Sequence, residues 1–151
     1  MQYEQTVNGQ RLVAATPDVF EQTLKLSADA IKAGEGFPCV VDLRKKQEMS
    51  EFPAAKCKEL GINYAHVPVT PETLSEQDID HCRREFARGW GRVLVISQGG
   101  QRALLMVILQ AARVQGWKAP EATAKCPDLQ LPTYKQYLEG YLSRHEVGVQ
   151  A

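Results

Sequence analysis

Residues 93–96, Val-Leu-Val-Ile, run straight into Ser97-Gln98-Gly99-Gly100-Gln101-Arg102 and then into the apolar residues 103–109. Four apolar residues rich in β-branching predict a buried strand. Two glycines next permit backbone conformations that a Cβ resists, and the arginine opens an apolar run of helical length. Strand, glycine-rich loop and helix form an anion cradle: backbone N–H groups converge, the helix N-terminus adds partial positive charge, and Arg102 supplies a two-pronged fork. This junction fixes the most about the chain, because a strand leading into a buried helix needs a sheet beneath it.

The 151 residues fit one domain, with a core over about 12–144. Lysine and arginine number 18, as do aspartate and glutamate, so no general nucleic-acid or anionic-membrane surface is expected. Any anion preference must be local. The N-terminal residues are polar, and the longest apolar stretch, 103–109, is far short of the ~20 residues needed to span a bilayer. A cytoplasmic location is expected, and a mature periplasmic form would read the same way. Cys39, Cys57, Cys82 and Cys126 are scattered without any C-x-x-C pair, which predicts reduced, buried packing thiols and no metal or cofactor.

Along the chain, Leu12-Val13-Ala14 predicts the first strand. Thr16-Pro17-Asp18 opens a helix carrying Phe20, Leu24, Ala28 and Ile31 and ending at Gly34. Residues 39–43 predict a strand, 45–50 a loop, 53–60 a short helix closed by Gly61, and 62–67 an alternating strand stopped by Pro68. Ser75 with Asp78 has capping-box chemistry for a helix through Ile79, Cys82 and Phe86. A nearly all-apolar helix spans 102–115, one short helix falls between 117 and 131, and a last amphipathic helix carries Tyr134, Leu138, Tyr141 and Leu142, with a frayed end after His145. Strands alternating with helices predict an α/β three-layer sandwich around a mainly parallel sheet. Ligands of such sheets gather beyond the carboxyl ends of the strands, which puts Arg44, the loop at 68–74 and the Ser97 loop on one edge.

Residues 40–44 (Val-Val-Asp-Leu-Arg), then Glu48, then Leu60-Gly61 through Val69, then the strand and glycine loop, resemble a bacterial phosphatase-like family. That family occurs alone and as the phosphatase-like domain of beta-lactamase hydrolase-like proteins, with the fold of dual-specificity and tyrosine phosphatases. The likeness covers about 12–116, in order. In active members the loop reads cysteine, two residues, glycine, one residue, arginine. Laid onto this chain, Gly100 and Arg102 match and Ser97 takes the cysteine position. The resemblance implies thiolate attack on phosphorus in those members, with arginine and loop amides holding the oxygens and an acid protonating the leaving group. Where many carry an aspartate, this chain has Thr70, and Glu72 is the nearest substitute acid.

A cysteine at a helix N-terminus beside arginine is largely thiolate, whereas a serine hydroxyl there stays neutral without a base. The expected function is therefore binding of phosphate, sulfate or a phosphorylated small molecule or protein, with little or no turnover. Expected anion contacts are Gln98, Gly99, Gly100, Gln101, Arg102 and Arg44, the last serving either as a second contact or as a partner for Glu48. Alternatives are an active phosphomonoester phosphatase whose cysteine has been exchanged for serine, a non-catalytic domain that docks a phosphorylated partner, and a rhodanese-like protein. The glycine-pair and tryptophan segment of a rhodanese C-terminus is not evident. His66 is expected to be structural, His81 and His145 solvated, Asp78 a cap, and Trp90 and Trp117 packing residues. Oligomeric state is not legible.

Overall fold

The computed structural model describes residues 2–70 and 74–145. The sheet is built from β1 (Gln2–Val7), β2 (Gln10–Ala15), β3 (Cys39–Asp42), β4 (Asn63–His66) and β5 (Arg92–Ile96), in the spatial order β1-β2-β5-β3-β4. The β2–β5, β5–β3 and β3–β4 pairings are parallel, and only β1–β2 is antiparallel. The helices are α1 (Pro17–Leu24), α2 (Ala28–Lys32), α3 (Ala54–Leu60), α4 (Glu76–Arg88), α5 (Gln101–Gln115), α6 (Ala119–Lys125) and α7 (Pro132–Arg144), with a single 3-10 turn at Lys46–Glu48.

One face of the sheet packs Val13, Val40, Leu94 and Ile96 against Phe20 of α1, Ile31 of α2 and Cys57 of α3. The other packs Leu12, Val41, Val93 and Val95 against α5, which is buried from Arg102 to Ala112 because α4 and α7 cover its outer side. A helix enclosed this way must be apolar all round, and this one is. The α/β sandwich is thus the architecture expected, and the four cysteines are free and buried. Burial pushes the Cys57 and Cys82 thiols up to about 12. Among the described residues, no helix is long and apolar enough to cross a membrane.

Three elements differ from expectation. Residues 2–7 form an unforeseen antiparallel edge strand, because Asn8 and Gly9 both take positive φ (51° and 78°) and close a tight hairpin onto β2. The helix expected from Pro17 to Gly34 is two: α1 stops at Leu24, and Ser27 starts α2 by accepting the Ala30 N–H at 3.1 Å. Part of the polar stretch at 45–50 is the 3-10 turn, whose first N–H, on Lys45, donates to Glu48 Oε1 at 2.8 Å. Ser75 and Asp78 cap α4 reciprocally, as read from the sequence.

Candidate functional site

The carboxyl ends of β3, β4 and β5 meet where Arg102 crosses them. Its Nη1 donates to the carbonyls of Leu43 (3.3 Å) and Val69 (2.7 Å), just after β3 and β4, while its own helix follows β5. The same guanidinium meets Glu48 end-on, Nη1 to Oε1 at 3.0 Å and Nη2 to Oε2 at 2.7 Å. Burial alone would raise the Glu48 carboxyl. The Arg102 hydrogen bonds, the Lys45 N–H and both neighbouring positive charges outweigh that and hold it below its ordinary value. An arginine has two bidentate edges. Glu48 takes the outer one, and no protein acceptor among the described residues takes the Nε–H or the second Nη2–H on the other.

The loop is built to leave donors free. Gly100 takes φ +88°, which turns the chain from β5 into α5 where a side chain would be strained. Ser97 N–H donates weakly to Ala15 O (3.4 Å), Ala103 N–H to Ser97 Oγ (3.1 Å) and Leu104 N–H to Gly100 O (2.9 Å). Between them, the backbone N–H groups of residues 98–102 have no acceptor among the described residues. Gln98, Gly99, Gln101 and Arg102 line a pocket of about 310 Å³ whose other walls are Lys45, Glu48, Leu131 and Tyr134.

Ser97 lies fully buried beneath this loop, with its Oγ engaged as the acceptor for Ala103. His66 Nε2 is 2.6 Å from Arg44 O, the structural use expected of it. Gln101 is at the pocket, but its side chain clamps the segment after α6, donating to Asp128 O (2.8 Å) and accepting from Gln130 N (2.9 Å) and Leu131 N (3.4 Å). Arg44 turns away. It pairs side-on with Asp42 (Nε to Oδ1 3.0 Å, Nη2 to Oδ2 2.9 Å) and lines a separate pocket with Phe20, Phe52 and Lys56 on the sheet's other face. The partner of Glu48 is Arg102, not Arg44. Asp42 is fully buried and satisfied, because the Tyr64 hydroxyl also donates to its Oδ2 at 2.7 Å. Glu72 lies outside the described residues, as does the C-terminal stretch expected to fray. His145 is half-buried against Tyr141 and pairs with Glu76, while Trp90 is 55% exposed.

Sequence reasoning missed Lys45, Leu131 and Tyr134 as pocket walls. Lys45 looked like one of several loop polars, and the other two follow a proline-rich connection without any periodic signal. Among the described residues, no group of three or more His, Cys, Asp or Glu could hold a metal ion.

Solved structures settle the architecture. A DUF442 protein of Shewanella putrefaciens, itself a candidate phosphatase, superimposes with a TM-score of 0.68 at 15% identity, covering 96% of this chain and 93% of that one. PTPMT1 in complex with PI(5)P matches at 0.68 and 13%, covering 94% and 96%. This is the fold of the tyrosine and dual-specificity phosphatases. Human DUSP28 shares it at a TM-score of 0.58 and 16% identity, covering 93% of both chains. Among curated proteins, the phosphatase-fold chain is 32% identical over 109 residues to the beta-lactamase hydrolase-like protein of Agrobacterium fabrum, covering 71% of this chain and 23% of that protein. It is 32% identical over 82 residues to the one from Xylella fastidiosa, covering 51% and 19%. The chain therefore spans only about a fifth to a quarter of the length of these relatives. No family model matches.

Proposed function

We propose that this chain is a single phosphatase-like domain that binds phosphate, or a phosphorylated small molecule, at residues 97–102 with little or no turnover. One observation carries the reading: the N–H groups of residues 98–102 and the inner edge of Arg102 form a donor array without an acceptor among the described residues. Donors left unpaired cost free energy unless water or a ligand takes them, and a tetrahedral oxyanion suits such an array. Glu48 and the carbonyls of Leu43 and Val69 hold the guanidinium in place, so a ligand meets a pre-set fork.

Low turnover follows from Ser97. Its hydroxyl accepts from Ala103 N–H in the first turn of α5 and no base among the described residues is bonded to it, so it lacks the activation that serine nucleophiles require. The neighbour holding PI(5)P supports a phosphorylated organic ligand. Four buried free thiols suit a reducing compartment, the cytoplasm.

Titration with inorganic phosphate and vanadate, followed by calorimetry and by the amide resonances of residues 98–102, tests this. Saturable binding that shifts those amides and weakens at least about tenfold in Arg102→Lys is expected, since lysine cannot reproduce the fork. Unmoved loop amides at saturating anion would overturn the reading, whatever the variant does.

A further inference from the structure

The pocket over the loop carries one cation that the oxyanion reading leaves unused. Lys45 lines the same cavity as Gln98, Gly99 and Arg102, and it is exposed. Among the described residues, its ammonium has no carboxylate within 4.0 Å, whereas Arg102, Arg44 and Arg11 all do. Lys45, Glu48 and Arg102 are the charged walls of the pocket, and with Glu48 in contact with Arg102 the three leave one positive charge in excess.

Its backbone fixes which part of a ligand it can meet. Lys45 N–H donates to Glu48 Oε1, the oxygen that also receives Arg102 Nη1. The free edge of Arg102 is on the opposite side of the guanidinium, at Nε and Nη2. The width of the guanidinium therefore separates the Lys45 anchor from the oxyanion position. From that anchor the lysine side chain lines the same cavity as the loop. Tyr134 and Leu131 wall the same cavity, and Leu131 is 47% exposed, an apolar surface open to a ligand. A cavity of about 310 Å³ is at the small end for small-molecule pockets.

We propose that Lys45 selects phosphomonoesters that carry a second anionic group beyond an apolar or aromatic body, the phosphate lying on the loop and Arg102, the body against Leu131, and the second anion at the Lys45 ammonium. This rests on the oxyanion reading and names the ligand class for it. Exposed ion pairs contribute little, so the expected selectivity is modest.

The probes are phenyl phosphate and 4-carboxyphenyl phosphate, with inorganic phosphate as reference, measured by calorimetry on the whole chain. The carboxylated ester should bind about threefold more tightly than phenyl phosphate at low salt, and the advantage should shrink as salt is raised. In Lys45→Met, which keeps an unbranched stem, the ratio of the two affinities should fall to about one, and in Lys45→Glu it should invert. A ratio near one in the unaltered protein, or a ratio that survives in Lys45→Met, overturns the proposal. Equal weakening of both esters by Lys45→Met also overturns it, since Lys45 would then touch the phosphate itself. If neither the esters nor inorganic phosphate bind, the oxyanion reading has failed and the Lys45 proposal falls with it.

Discussion

Arg102 and Glu48 stand 54 positions apart in the chain and meet in a two-bond ion pair, 3.0 and 2.7 Å long, at the carboxyl end of the sheet. Only about a tenth of the arginine side chain and a fifth of the glutamate side chain are exposed, so solvent screens the pair weakly. Glu48→Gln keeps one acceptor and removes the charge. Stability should fall by about 1–3 kcal/mol in urea unfolding, and phosphate affinity should fall with it because the fork loses its mount. A variant of unchanged stability would show the pair to be incidental.

The same pair sets an acid response. Glu48 is held below its ordinary value of 4.5, so its folded form keeps the carboxylate where the unfolded chain would take up a proton. Its contribution is complete above about pH 4.5 and is lost as pH falls through the lower folded-state value. The gap in Tm between the unaltered protein and Glu48→Gln should close across that window and stay constant from pH 6 to 8.

Asp42 offers a sharper test of burial. It is wholly inaccessible and serves Arg44 and Tyr64 together. Asp42→Asn leaves the Arg44 guanidinium buried without a counter-charge and should cost about 3 kcal/mol, read as a lower urea midpoint. The Tyr64 hydroxyl is held protonated by burial and by Asp42, so its titration should move down in this variant.

Ser97→Cys restores a nucleophile of the kind the loop suits. The thiol would sit at the N-terminus of α5 beside Arg102, where its pKa is lowered. Steady hydrolysis of an aryl phosphate whose leaving group departs as its anion, with none detectable before the change, is the expected outcome. That choice of substrate removes the need for an acid at Glu72. An inert variant would mean that the loop binds without the alignment attack requires.

Gln101→Ala should release the segment its amide holds. Hydrogen exchange at the Gln130 and Leu131 N–H groups should accelerate by about tenfold, while the β5 amides stay protected. Unchanged exchange would show that the clamp contributes nothing to local order.

Local chemistry was the legible part. β5, its glycine loop and α5 were readable because β-branching, glycine and an all-apolar helix speak within a few residues of one another, and Ser75 with Asp78 marks a cap three positions long. β1 was missed although Asn8-Gly9 is a strong hairpin signal, since Gln2-Tyr3-Glu4-Gln5 offers little apolar alternation. The break between α1 and α2 hid behind a hydrophobic period that runs through it. At the site, the residue types of the loop were visible, but which carboxylate each arginine meets was not. Asp42 with Arg44 and Glu48 with Arg102 depend on how the segment after β3 turns over the sheet edge relative to α5, a tertiary fact.

The Gln101 clamp couples two stretches of chain that lie well apart in the sequence. The loop and Arg102 lie at the start of α5, whereas Leu131 precedes α7 and Tyr134 lies in its first turn. Floor and wall of one cavity are thus written in separate passages, and the Gln101 amide hydrogen-bonds one to the other. Substitutions at Leu131 and Tyr134 rewrite the wall without replacing a residue of the floor. A shortened chain ending at Gly116 would keep every residue of the loop and lose the cavity.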